Sequence, residues 1–359
     1  MCIRDRLNAV RVVLEGVQGL PAITRRKLLQ LSGATSVISI ALLTGEHVSI
    51  SEEKKERLTQ TLGKSIVDGW KLFHTTSTDV LFTVAEAQLF LMQQVHALLI
   101  PSVRCMFYAS LYRLKGAALF FLARYNEAMK AFDQSYIAGL EANDPWTMAE
   151  SLSWQGGVWK ARGMQDKAIQ TTEAALRLTY GYEEEKSLPL RARLFAHWAE
   201  SAALLHQSSV MREKLEASGD LLKCLETNDE FDYPTWKQYR AVCNFYIGEV
   251  AAADRYFQQA LEEMKPDWIL QKGYTLLLQA QARLKMGEVE RSITAARASL
   301  PFIARIDSPL INRGLMDYVQ EVICLSNNPD TPIQAFAAET QQLILHADSM
   351  LPRYLEAKI

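Results

Sequence analysis

The chain has 359 residues and 39 Lys plus Arg against 41 Asp plus Glu, a formal net charge of −2; this balance excludes the cation surplus that coating nucleic acid requires. Hydrophobic residues make up 49% and charged residues 22%, which excludes a mostly disordered chain. Gly and Pro number only 17 and 11, too few for a sandwich or barrel with many tight turns.

Residues 1–6, Met1-Cys2-Ile3-Arg4-Asp5-Arg6, read as the translation of a sequencing-adapter remnant. Residues 7–48 are then a linker or the remnant of a missing N-terminal domain. Within them Arg25-Arg26-Lys27-Leu28-Leu29 precedes an uncharged run to Gly45. Twin arginines before an apolar stretch have the form of an export signal. Against that stand the hydroxyls of Ser32, Thr35, Ser36, Ser39 and Thr44, and the lack of an A-x-A cleavage site. The run is also too polar for a membrane helix. The five cysteines, Cys2, Cys105, Cys224, Cys243 and Cys324, are odd in number and lack a CxxC pair. They read as small buried hydrophobes in a reduced compartment, so a cytoplasmic location without membrane contact is expected.

From Ser49 the chain is a procession of amphipathic helices. Ser49-Ile50-Ser51-Glu52 has the form of a capping box, and a helix to about His74 follows. Helices are predicted at 79–100, ended by Pro101, and then at 102–122, 125–141, 145–162, 165–180, 188–206 and 209–226. Six more follow at 234–247, 250–264, 267–286, 289–304, 308–326 and 331–348. Connections of two or three residues favour antiparallel pairs, and no period-two strand pattern appears.

The pairs repeat. Tyr112, Gly116, Leu119, Tyr125, Ala128, Phe132 and Ser135 form the clearest unit. A second has Leu152, Gly156, Trp159, Gly163, Ala168, Thr172 and Ala175. A third has Ala241, Gly248, Ala253, Phe257 and Ala260, and a fourth Ala280, Gly287, Ser292, Ala296 and Ser299. Ala199, Ala202, Met211, Leu215 and Ser218 fit more weakly. This spacing resembles the tetratricopeptide repeat at its positions 4, 8, 11, 17, 20, 24 and 27. Ala128, Ala168, Met211, Ala253 and Ser292, the residues at position 20, lie 40, 43, 42 and 39 apart, against the family's usual ~34. The resemblance covers 102–304 most clearly and implies an all-α, right-handed α-solenoid of about seven antiparallel helix pairs over 49–359. Small residues at positions 8 and 20 would let the helices of a hairpin approach, and Gly163, Gly248 and Gly287 would end first helices in a left-handed conformation.

No catalytic or metal-binding constellation is present. His47, His74, His96, His197, His206 and His346 show no metal-ligand spacing, and phosphate-binding and nucleophile-elbow motifs are absent. Glu183-Glu184-Glu185 reads as a solvated loop. No enzyme activity, metal or cofactor is expected. The resemblance instead implies a concave groove lined by first-helix positions 2, 5, 9, 12 and 13. The partner-binding candidates on it are Arg113, Phe120, Phe121, Lys160, Arg193, Gln238, Tyr246 and Gln281, with Glu150, Ser153, Glu200, Phe245, Tyr274 and Lys285 beside them. Such a lining suits a protein or peptide partner, or a small anionic ligand. The competing reading pairs its cations with Glu150 and Glu200 merely to keep the groove soluble.

The Arg25–Leu29 linker and the Gly69-Trp70 pair are also similar to bacterial helix-turn-helix regulators, in which a DNA-binding domain and a basic R-R-x-x-L linker precede a helical array. That likeness implies a sensing and self-associating region whose DNA contact belongs to a missing upstream domain. The alternative is a free-standing scaffold exported by the twin-arginine route.

Overall fold

The computed structural model describes residues 51–180, 187–223, 231–325 and 331–350. The basic linker, Ser49 and the Glu183–Glu185 run lie outside them. The described residues form fourteen α-helices and no strand. In order these are α1 (Glu52–Phe73), α2 (Thr78–Val95), α3 (Pro101–Phe121), α4 (Tyr125–Glu141), α5 (Pro145–Ala161), α6 (Gln165–Thr179) and α7 (Leu188–Leu204). Then come α8 (Ser208–Lys223), α9 (Tyr233–Tyr246), α10 (Val250–Glu263), α11 (Ile269–Lys285), α12 (Val289–Ile306), α13 (Pro309–Leu325) and α14 (Thr331–Met350). Consecutive helices pair as antiparallel hairpins, and the hairpins stack into a right-handed α-solenoid.

Local signals set most helix starts. Pro101, Pro145, Pro189 and Pro234 stand in the first turns of α3, α5, α7 and α9, where the missing N–H costs nothing. The Asp144 carboxylate caps α5 by accepting from the Trp146 and Thr147 amides, and Asp232 accepts from the Thr235 amide of α9. At the first helix Ser51 is the N-cap and its side chain makes no capping bond. The second helix stops at Val95, short of Ile100. A 3-10 turn over His96–Leu98 follows, and Leu99 and Ile100 are extended ahead of Pro101.

The repeat register holds. All five position-20 residues are buried, as are Phe132, Thr172, Leu215, Phe257 and Ala296 at position 24. The fine contact differs from the expected pairing of positions 8 and 20. A Cβ on Gly116 would fall 2.4 Å from the Phe132 ring, and one on Gly156 3.3 Å from Thr172 Oγ1. Position 8 is therefore small because the position-24 side chain lies across it. At position 27, Ser135 Oγ donates to the Ala109 carbonyl and Ser218 Oγ to the Ala192 carbonyl, both at 2.7 Å.

Gly163, Gly248 and Gly287 have φ of 74°, 86° and 79°, as their position predicts. Ala123 and His206 occupy the same turn position and are also left-handed, at φ 57° and 56°. Each turn is closed by a return bond from the next residue, such as Arg124 N–H to Leu119 O and Met164 N–H to Trp159 O.

The core is serial. One cluster joins Leu119, Ala128 and Phe132 to Val158, and the next joins Ala149 and Leu176 to Leu190 and Leu194. The most extensive runs from Ile269 to Phe336. Cys105 and Cys243 are buried as expected, but Cys324 is exposed.

The first two hairpins also meet the last ones. Thr78 Oγ1 donates to the Ile306 carbonyl at 3.2 Å, and Ser308 Oγ donates to the Phe121 carbonyl at 2.6 Å. The Ile269 amide donates to the His74 carbonyl at 3.0 Å. Phe73 and Phe121 pack against the C-terminal core cluster. The superhelix thus closes on itself along a seam, and its concave face becomes an inner face.

Two substitutions test this description. Ala128→Leu should destabilise by ~1–3 kcal/mol through overpacking, spreading to the neighbouring hairpins. Ala123→Gly should stabilise by up to about 1 kcal/mol, since it relieves a left-handed alanine at the expense of unfolded-state entropy. Denaturant melts of both variants decide the matter.

Candidate functional site

The inner face is built from the first helices of successive hairpins. Glu150 of α5 lies only 3% exposed at its centre. Arg193 Nη2 of α7 stands 2.5 Å from Glu150 Oε1, and Arg113 Nε of α3 stands 3.8 Å from Oε2. The Arg113 guanidinium is also set between two indoles, 5.4 Å from the Trp70 centroid and 5.6 Å from that of Trp146. Further along the same helices, Lys160 Nζ of α5 donates to Glu200 Oε2 of α7. Three cations and two carboxylates therefore form a ladder across three consecutive hairpins.

The electrostatics follow from this arrangement. Burial alone would push the Glu150 carboxyl up, but Arg193 first and Arg113 second outweigh it and hold it below the usual carboxylate range. Burial, with Lys160 and Arg193 adding to it, holds the His197 imidazole neutral. His197 Nδ1 lies 3.4 Å from Ser153 Oγ, and its ring lies 5.5 Å from that of Tyr239. The phenols of Tyr239, Tyr246 and Tyr274 are pushed well above their ordinary range by burial first, with the Glu200 charge contributing at each. The same causes raise the Cys243 thiol, so it is no thiolate nucleophile. Tyr274 keeps 37% of its surface open.

The eight predicted partner-binding residues thus divide into three groups. Arg113, Lys160 and Arg193 come together in the ladder, each bound to glutamate. Phe120 and Phe121 lie in an aromatic chain. Phe121 touches Phe73 at 5.7 Å between centroids and Phe120 at 5.2 Å, and Phe120 packs with Phe82, Tyr125 and Trp154. Phe121 also packs against the C-terminal core cluster at the seam. Gln238 is buried, Gln281 and Tyr246 are half-buried, and Tyr246 packs on Phe245 at 5.7 Å. His197 and Tyr239 were not among the expected lining. Both stand at repeat position 6, outside the family's inner-face positions, so the register gave no signal for them.

No group of three or more His, Cys, Asp or Glu side chains could hold a metal ion among the described residues. None of their helices is long and apolar enough to cross a membrane. What the inner face offers is hydrogen bonding from phenols and amides beside fixed, neutralised charges.

No family model matches the chain, and no curated protein does. Among solved structures it is similar to the Rap protein complexed with Competence and Sporulation Factor: 12% identity, TM-score 0.53, covering 83% of this chain and 92% of that one. It is also similar to BtubC from P. vanneervenii at 12% identity and TM-score 0.43, covering 70% of this chain and 91% of that one. A third likeness is to the APC/C hetero-tetramer Cut9-Hcn1, at 13% identity and TM-score 0.40, covering 84% and 58%. At 12% identity the likeness to the Rap protein shows a fold alone, in keeping with the tetratricopeptide-like helical-repeat solenoid described above.

Glu150→Gln should cost about 3–5 kcal/mol, because it leaves Arg113 and Arg193 desolvated without their carboxylate. A depressed carboxyl contributes stability above its unfolded pKa of about 4.3 and loses it as pH falls through the folded value. Wild type should therefore lose stability below about pH 4, and the variant's melting temperature should fall less steeply there.

Proposed function

We propose that this solenoid is a non-enzymatic binding module whose inner face takes a protein or peptide segment. The observation that carries the reading is the division of labour on that face. Buried glutamates hold the cations in place, while Tyr239, Tyr246, Tyr274, Gln238 and Gln281 bring phenols and amides to the following first helices, α9 and α11. Phenols and amides are suited to the main chain of an extended segment, whose N–H and C=O groups need partners once desolvated. An anionic ligand would have to compete with Glu150 or Glu200 for its cations, which disfavours the small-anion version of this reading. The Rap protein, whose fold is similar, was crystallised with Competence and Sporulation Factor, which supports a binding role for this solenoid.

The finer reading is the sensing and self-association region of a bacterial transcriptional regulator acting in the cytoplasm. The linker residues Arg25–Leu29 and the Gly69-Trp70 pair support it. The pair packs α1 against α3 of the next hairpin: Trp70 Nε1 donates to Ser110 Oγ at 3.0 Å, and a Cβ on Gly69 would lie 3.0 Å from Leu114. In this reading DNA contact belongs to a helix-turn-helix domain outside the described solenoid.

Two experiments follow. Tyr274→Ala, Gln281→Ala and Gln238→Ala, singly and together, are compared with wild type for capture of proteins and peptides from bacterial lysate. Arg291→Ala on the exposed start of α12 serves as control. Loss of a captured partner in the inner-face variants alone, with helicity intact, is expected. An unchanged profile in the triple variant would move the site elsewhere. Separately, the chain at net charge −2 should bind duplex DNA no tighter than about 1 μM at physiological salt. A mobility shift at lower concentration would contradict that.

A further inference from the structure

The seam that closes the superhelix is centred on one imidazole. His74 is the residue after α1. Its ring is stacked on Trp268 with centroids 4.9 Å apart and planes 10° from parallel, and the Phe73 ring meets its other side edge-on at 5.0 Å. Gln271 Nε2 lies 2.7 Å from His74 Nδ1, an amide N–H donating to an unprotonated ring nitrogen. The His74 carbonyl accepts from the Ile269 amide. One residue therefore joins α1 to the start of α11 through stacking, a side-chain bond and a main-chain bond. The remaining seam bonds, Thr78 to Ile306 and Ser308 to Phe121, are hydroxyl contacts to carbonyls.

We propose that His74 is a pH-sensitive latch: neutral, it holds this part of the seam closed, and its protonation releases α1 and α2 from α11 and α12 and opens the inner face on that side. Protonation puts a charge in a half-buried aromatic slot between Trp268 and Phe73, where loss of water opposes it. The groups facing the ring from each packed element are Lys265 and Asp267 ahead of α11 and Asp232 ahead of α9. The Gln271 side-chain bond and the two aspartates favour the charged ring, and the lysine opposes it. Burial is the largest influence and lowers the His74 pKa from its ordinary 6.5. The sign follows from linkage: opening takes up a proton, so closure is complete above 6.5 and is lost as pH falls toward the depressed value.

The other titrating pair on the seam works in the opposite sense. The Asp79 carboxyl is raised by desolvation first and by Asp307 second, against Arg124. Acid removes that repulsion and tightens the contact, so opening on acidification belongs to His74. The latch stands whether or not the inner face takes a partner.

The test uses the full chain between pH 7.5 and 5. Hydrogen exchange, corrected for intrinsic rates, reads protection of the Ile269 and Leu270 amides, and small-angle scattering reads the radius of gyration. In wild type, seam protection is expected to fall by up to about tenfold per pH unit below 6.5. The radius should rise over the same range, while amides within the α3–α6 hairpins stay protected. His74→Phe keeps the stacking without a titrating group, so it should stay closed at both ends. If that variant does not fold, His74→Gln carries the same comparison. A wild type whose seam protection does not change with pH overturns the latch. So does a non-titrating variant that opens in parallel with wild type, or loss of α3–α6 protection together with the seam.

Discussion

A single helical hairpin here has more apolar surface than its two helices can cover for each other. Phe132 illustrates this: it lies across Gly116 within its own hairpin and also stacks on Trp154 of the next, at 5.7 Å between centroids. Every core cluster contains residues from adjoining hairpins, so no unit is complete until its neighbour is in place. The close approach at position 8 sets how the two helices of one hairpin lie against each other. Stacked along the chain, the hairpins curve until the first two meet the last ones at the seam.

Curvature of this kind has an electrostatic consequence. First helices converge on the inner side, and their polar side chains lose water there. A lone arginine on that face would be costly. Sharing Glu150 between Arg113 and Arg193, and pairing Lys160 with Glu200, offsets the desolvation. Such buried pairs add little net stability over an apolar core. Their effect is to tie α3, α5 and α7 in one register, because slipping a hairpin would strand a charge.

The periodic part of this architecture was legible in the amino-acid sequence. Helix positions, the register of buried residues and the glycine turns all follow from patterns within some forty residues, which local spacing can carry. Features outside that range were not. Ala123 and His206 adopt the left-handed turn without the glycine that advertises it. Asp144 and Asp232 cap their helices beside prolines that mark the same starts, yet the aspartates themselves drew no notice. The seam joins Phe121 to Ser308 and His74 to Gln271, residues no repeat period relates. The register places Phe120 and Phe121 on the inner face, but it does not show that Phe121 also packs against the C-terminal core cluster.

The cationic lining could be read from the repeat register, but its neutralisation could not be decided there. Glu150 and Glu200 stood on the same inner positions, and whether they met the cations depended on how far the helices converge. Once they do meet, the chemistry of the face changes character. Recognition by free cations would be strong at a distance and weakened by salt. Recognition by tyrosine hydroxyls and glutamine amides acts only in contact and depends on geometry. A face of the second kind selects its partner by the path of a main chain rather than by net charge. It can do so only while the surrounding hairpins hold those hydroxyls and amides at fixed separations, which is what the glutamate ladder and the closed seam both enforce.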